Sequence, residues 1–186
     1  MEASPARAPL LALLRELAYE RRQVTLASGR ESDFYIDCRR VSLHAEGMIL
    51  CGQAFHSAYL ESGISIDAVG GPTLGADPLI CAFTHAAHAA DLPMHAFIVR
   101  KEPKGHGTGR MVEGMSNLQT GSRVLLLEDV ITTGGSTVRT IEACRETGLE
   151  VVQVMVLVDR QEGGREAIES TGVPCSALFT RADFTD

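Results

Sequence analysis

Arg123-Val-Leu-Leu-Leu-Glu-Asp-Val-Ile-Thr-Thr-Gly-Gly-Ser-Thr137 decides how the rest of the chain is read. Apolar residues run from Val124 into two adjacent acids, Glu128 and Asp129, and then into a cluster of hydroxyls and glycines. Beyond the cluster, Val138, Ile141, Ala143, Cys144 and Leu149 recur at roughly helical spacing. A buried parallel strand, a tight loop and the first turn of a helix account for this order. In an open α/β sheet, ligands bind at the carboxyl ends of strands, which is where this loop falls.

The loop has a legible chemistry. Gly134 and Gly135 let the backbone approach an anion closely, and the N–H groups of a helix N-terminus point at it. Thr132, Thr133, Ser136 and Thr137 add hydroxyl donors, a set suited to a phosphate monoester. No Gly-Lys-Ser/Thr follows, which excludes a Walker A loop, and Gly-x-Gly-x-x-Gly is absent, which excludes the dinucleotide fingerprint. Glu128 and Asp129 cannot bind phosphate; they accept hydrogen bonds from sugar hydroxyls or face a metal ion. Phosphate at one end and vicinal hydroxyls at the other describe a ribose 5-phosphate. An ordinary acidic strand end with a helix cap would explain a bare Gly-Gly-Ser. The whole string says more, because it resembles the phosphoribosyl-pyrophosphate motif of the type I phosphoribosyltransferases.

Composition narrows the class. A chain of 186 residues is read as one domain with an ample core. Its 45% hydrophobic and 22% charged content is ordinary for a globular protein. A net charge of −7 excludes a general nucleic-acid binder and gives no reason to expect a membrane surface as partner. Cys38, Cys51, Cys81, Cys144 and Cys175 are odd in number and widely spaced, so buried thiols in a reducing compartment are expected, without a metal site. With no secretory leader pattern and no apolar run of about 18 residues, a cytoplasmic protein is expected.

Outward from the central stretch, the spacing predicts a helix over Pro9–Arg22 and short strands at Val24–Ala27 and Asp33–Asp37, joined by the turn Ser28–Ser32. A second helix is predicted over His44–Leu60. A strand at Ser65–Val69 runs into Gly70-Gly-Pro-Thr-Leu-Gly75, then a helix over Ala76–Ala89 and a strand over Met94–Val99. After the central unit come a strand at Val151–Asp159, a short helix near Arg165–Thr171 and a strand at Cys175–Phe179. Strands alternating with helices give an α/β fold, a mostly parallel central sheet flanked by helices, with residues 1–43 as an N-terminal helix and hairpin hood.

Between Val99 and the central strand the composition changes abruptly. Arg100-Lys-Glu-Pro-Lys-Gly-His-Gly-Thr-Gly-Arg110 has no hydrophobic side chain, and the polar character continues to about Ser122. A loop over residues 100–122, with glycines for mobility and cations for a polyanion, is expected to be functional. Arg100, Lys101, Lys104 and His106 are the most concentrated cations available to a pyrophosphate. Gly70–Gly75 is a further strand end able to offer N–H groups to an anion. Arg160, at the end of the next strand, either meets a substrate carboxylate or pairs with Glu162, the more common outcome at this spacing. His85 and His88 share a helix face but lack a third ligand.

Taken together, Thr25-Leu-Ala-Ser-Gly-Arg-Glu-Ser-Asp-Phe-Tyr-Ile-Asp37, the Arg-Lys-x-x-Lys-x-His-Gly loop, Glu128–Ser136 and Asp159-Arg-Gln161 resemble the orotate phosphoribosyltransferase family, in order and over nearly the whole chain. The resemblance implies transfer of a 5-phosphoribosyl group from phosphoribosyl pyrophosphate to orotate with Mg²⁺, in pyrimidine synthesis. It implies that Thr132, Thr133, Gly134, Gly135 and Ser136, with Val130 and Ile131 beside them, hold the 5′-phosphate. Glu128 and Asp129 then take the ribose hydroxyls. Arg100, Lys101, Lys104 and His106 close on the pyrophosphate, with Lys101, Lys104, His106 and Asp129 as the catalytic set. Tyr35, Ile36, Thr132 and Arg160 face orotate. No metal ligand is assigned directly, Glu128 and Asp129 acting through substrate or water. It also implies a two-fold homodimer in which Lys101 and the basic loop reach the neighbour's site. The alternatives are a phosphoribosyltransferase for another nucleobase and a non-catalytic regulator that senses phosphoribosyl pyrophosphate. Two positions depart from the family: Ala27 stands where a lysine is frequent, and Leu74-Gly75 where many members carry another.

Overall fold

The computed structural model describes residues 4–25, 31–102 and 111–185. Ala27, Lys104, His106 and the tip of the Ser28–Ser32 turn lie outside the described residues. Among those described, five strands make one parallel sheet in the order β4-β3-β7-β8-β9. They are β3 (Ala68–Gly70), β4 (His95–Ala96), β7 (Arg123–Ile131), β8 (Glu150–Asp159) and β9 (Cys175–Thr180). The longest pairing joins β7 to β8 in parallel, from Arg123 opposite Glu150 to Ile131 opposite Asp159.

The apolar run of β7 is continuous because both its faces are covered. Leu125 and Leu127 point to one core with Met155 and Leu157; helices α3 (Ala45–Ser62) and α4 (Asp77–Ala89) and the N-terminal helix cover that side. Val124 and Leu126 point to the other core with Val154 and Val156, against Ile141 of α5 (Gly135–Glu146) and Ile168 of α6 (Gly164–Glu169). Two layers of helix thus sandwich the sheet, as the alternation of elements predicted.

The hood differs in detail from the sequence expectation. Helix α1 (Arg7–Leu13) widens into a π turn over Leu14–Ala18, and the chain is extended from Tyr19 onward. Leu10, Leu14 and Ala18 carry the buried stripe; past Ala18 no apolar residue continues it. The expected last turn, to Arg22, instead becomes β1 (Tyr19–Thr25), pairing antiparallel with β2 (Glu31–Ile36). The hairpin is tied to the chain's end, with Phe34 against Tyr19 and Phe184 at ring separations of 5.1 and 5.8 Å. A short helix α2 (Arg39–Ser42), too brief to show a period, follows β2.

The stretch Met94–Val99 is not one strand. Its first part is edge strand β4; after Phe97, β5 (Ile98–Val99) pairs antiparallel with β6 (Val112–Glu113). The Phe97 ring occupies the space over Gly70, where a Cβ would lie 2.4 Å from it. The second half of the expected 100–122 loop therefore holds β6 and a 3₁₀ turn at Met115–Asn117; residues 103–110 lie outside the described residues.

Candidate active site

Three strand ends and the hood hairpin converge at the carboxyl edge of the sheet. At the end of β7, Thr132 and Thr133 lead to Gly134, whose φ of 77° turns the chain into α5. The first-turn N–H groups of α5 have no acceptor within the helix and face outward as an anion cradle. Thr133 and Ser136 are exposed and Thr132 is half-buried. Thr137, expected among the phosphate hydroxyls, is instead buried, its hydroxyl donating to Glu128 Oε2 at 2.9 Å. Helical spacing explains this: one residue past Ser136, the side chain turns from the cradle to the sheet.

The acid pair is split by the pleat. Glu128 is buried and held by Thr137, whereas the half-buried Asp129 lines an open cleft. Burial raises the Glu128 carboxyl well above its ordinary value of 4.5, and the Asp129 charge raises it further. Burial also raises Asp129, against the Val130 N–H that donates to its Oδ1 at 2.9 Å. A carboxyl held above its ordinary value keeps its proton in the native state while the unfolded chain has lost it. The native state then binds more protons, so stability falls as pH rises from about 4.5 through the raised native value. Glu128→Gln keeps an acceptor for Thr137 and removes the ionisation. The urea midpoint of the wild type is expected to fall between about pH 5 and pH 7.5, and that of Glu128→Gln to fall less. Parallel slopes would contradict the assignment.

The cleft beside Asp129 encloses about 340 Å³ and brings together Tyr35 and Ile36 of β2, Asp37, Arg39, Thr73-Leu74-Gly75, Lys101 and Val130. Phe34 and Ile36 are buried in the hood while Tyr35 and Asp37 lie on its other face, as a strand requires. The glycine loop after β3 is pinned: Thr73 N–H donates to Val99 O at 2.9 Å and its hydroxyl to Asp77 Oδ2 at 2.8 Å. The Thr73–Leu74 peptide bond is cis. Lys101 lines the cleft together with Asp129 of its own chain. Arg100 is paired with Glu113 at 3.4 Å and, with Lys101, lines a groove of about 300 Å³ beside Ser136 and Arg139.

Arg160 is buried. Its Nη2 lies 3.0 Å from Glu162 Oε1 and donates to Phe34 O at 3.0 Å, so the pairing expected from spacing is present and also anchors the hood. Arg39, Asp37 and Arg139 were not singled out in the sequence. Arg139 is one helical turn beyond Gly135, a spacing that could have revealed it; the Asp37–Arg39 pair spans a strand–helix junction and follows no period. His85 and His88 are both exposed on α4, and no group of three or more potential metal-binding side chains occurs among the described residues. Four cysteines are buried; Cys81 is exposed.

The carboxyl edge of the sheet thus brings a helix N-terminus open to an anion next to a cleft that holds Asp129, Arg39 and Lys101. Residues 45–173 match the family model described as phosphoribosyl transferase domain. The chain is 49% identical to an orotate phosphoribosyltransferase of Sorangium cellulosum, over 94% of this chain and 91% of that one. Orotate phosphoribosyltransferase of Mycobacterium tuberculosis H37Rv, solved with Fe(III) dicitrate, superposes with a TM-score of 0.82 at 40% identity, covering 98% of this chain and 100% of that chain. The same enzyme in complex with 5-phospho-α-D-ribosyl 1-diphosphate gives a TM-score of 0.77 at 39% identity, covering 97% and 99%. The chain belongs to the orotate phosphoribosyltransferase family.

Proposed function

We propose that this protein transfers the 5-phosphoribosyl group from phosphoribosyl pyrophosphate to orotate, giving orotidine 5′-monophosphate and pyrophosphate in pyrimidine synthesis. The observation that carries the reading is one cleft shared by Asp129, Lys101 and the Tyr35–Ile36 edge of the hood, beside the α5 cradle. In this reading Thr132–Ser136, with Val130 and Ile131 behind them, hold the 5′-phosphate, and Asp129 accepts from the ribose hydroxyls. Glu128, locked to Thr137, supports the acid end of the strand. Tyr35, Ile36, Thr132 and Arg160 form the orotate side. The bond from the anomeric carbon to the diphosphate oxygen breaks as the orotate nitrogen bonds to that carbon, and the proton released from that nitrogen passes to the departing pyrophosphate or to water. The electron pair leaves with pyrophosphate, so positive charge builds on the ribose ring while negative charge builds on the leaving group. Arg100, Lys101, Lys104 and His106 are assigned to that departing charge.

Mg²⁺ fits the donor set. Of the two carboxylates lining the cleft, Asp37 is engaged by Arg39, and Asp129 matches an ion that keeps several waters and binds mainly through substrate phosphates. When bound, it neutralises charge on the diphosphate. The test is formation of orotidine 5′-monophosphate from orotate and phosphoribosyl pyrophosphate with Mg²⁺, abolished by a chelator. Product formation unaffected by the chelator would remove Mg²⁺, and absence of product would remove the activity.

We assign residues 1–186 to one domain, since the core on one face of the sheet runs from Ala6 in the hood to Phe184 and the core on the other face shares the same strands. A cytoplasmic setting is supported by five free cysteines. No helix among the described residues is long and apolar enough to cross a membrane. We also propose a homodimer with shared sites, supported by exposed Ile49 and Leu60 on an apolar groove of α3 and α4. If His106 serves the partner's cradle and Asp129 its own, His106→Ala and Asp129→Asn each keep about a tenth of wild-type activity or less. Refolded together at random, half the dimers are mixed and half of their sites intact, so roughly a quarter of wild-type activity returns. Recovery no greater than the mean of the two variants would show sites built from one chain.

A further inference from the structure

We propose that Arg39 receives the diphosphate on the hood side of the cleft, and that Asp37 positions it to do so. The inference rests on the reading of the cleft as a phosphoribosyl-pyrophosphate site. A diphosphate carries several negative charges and needs cations converging from more than one side. Among the described residues lining the cleft, the cations are Lys101 and Arg39. The glycine loop between them supplies backbone only at Gly75. There a Cβ would lie 2.4 Å from the Asp129 carboxyl, so a side chain at 75 collides with the ribose acceptor. The neighbouring Leu74 side chain is exposed. A second cation has to come from another element, and the hood provides it.

Arg39 is aimed before any ligand arrives. Its Nε donates to Asp37 Oδ1 at 2.8 Å and its Nη2 to Asp37 Oδ2 at 3.1 Å, while its own backbone N–H donates to Asp37 Oδ1 at 3.2 Å. The Arg39 hydrogen bonds hold the Asp37 carboxyl below its ordinary value, so the pair stays ionised. A guanidinium has five donors. The clamp uses Nε–H and one Nη2–H, which leaves the Nη1 end and the second Nη2–H for an anion. Arg40, the next residue, is turned to the hood instead. Its Nη1 lies 2.6 Å from Glu20 Oε1 and reaches Leu17 O at 3.3 Å, tying α2 to the hairpin. Asp37 cancels much of the Arg39 guanidinium's long-range field, so Arg39 acts by direct hydrogen bonds. That makes the expected effect moderate.

Calorimetric titration with inorganic pyrophosphate and Mg²⁺, run beside steady-state kinetics, tests this. Arg39→Ala is expected to raise the pyrophosphate Kd and the phosphoribosyl-pyrophosphate KM each about tenfold. The orotate KM should change by less than about twofold. The melting temperature should hold, because the Arg39 side chain is 51% exposed. Asp37→Ala, which frees the guanidinium, should shift the same two constants by a smaller factor, and Arg39→Lys should recover part of the loss. A pyrophosphate Kd unchanged in Arg39→Ala, or an orotate KM that rises as far as that for phosphoribosyl pyrophosphate, overturns the inference. Wild-type protein that fails to convert orotate defeats the reading of the site instead. An active wild type whose Arg39→Ala variant binds pyrophosphate normally defeats only the role of Arg39.

Discussion

Asp129→Asn is expected to lower kcat/KM for phosphoribosyl pyrophosphate by about 10- to 100-fold, the loss of a charged hydrogen bond worth about 1.5–3 kcal/mol. Asn keeps an oxygen for the Val130 N–H, now 2.9 Å from Oδ1, so the local backbone has no reason to move. It removes a carboxylate that burial disfavours and that raises its neighbour Glu128. Folding stability should therefore hold or rise while activity falls. This opposite movement separates a binding role from a structural one. A variant with unchanged kinetics would take Asp129 out of the ribose site.

Gly134→Ala should act on stability and function together. The residue sits at φ 77°, a region that costs an L side chain about 1–2 kcal/mol. An added Cβ would also lie 2.6 Å from Gly164 O, a backbone atom of the neighbouring turn that cannot swing aside. With overpacking of about 1–3 kcal/mol the total loss is about 2–5 kcal/mol. The cradle distorts with it, so the KM for phosphoribosyl pyrophosphate rises. Gly135→Ala is the control, since its Cβ would meet only Arg139 Nη1 at 3.6 Å. Equal melting temperatures for the two variants would show that the Gly134 turn does not shape the cradle.

The sequence made the sheet legible wherever burial on both faces left an unbroken apolar run. The strand through Leu125–Leu127 and its helix at Val138–Cys144 fall where the spacing put them. It misled where tertiary pairing outweighed local pattern. Tyr19–Arg22 read as a fourth helical turn, yet pairing with β2 holds it extended. Met94–Val99 read as one strand, yet the Phe97 ring must fit over Gly70. In the site, the cradle was visible because glycine and hydroxyl chemistry is local in the chain. The inward turn of Thr137 and the Asp37–Arg39 clamp were not, because each depends on which way one side chain faces once the elements have packed.

The most direct measurement compares bases in one assay. With phosphoribosyl pyrophosphate and Mg²⁺ held constant, orotate, adenine, hypoxanthine, xanthine and uracil are offered separately and nucleotide formation is followed for each. Rapid loss of orotate absorbance with pyrophosphate released in equal amount, and turnover of the other four near background, is the expected result. Conversion of a purine or of uracil with orotate left untouched would contradict it.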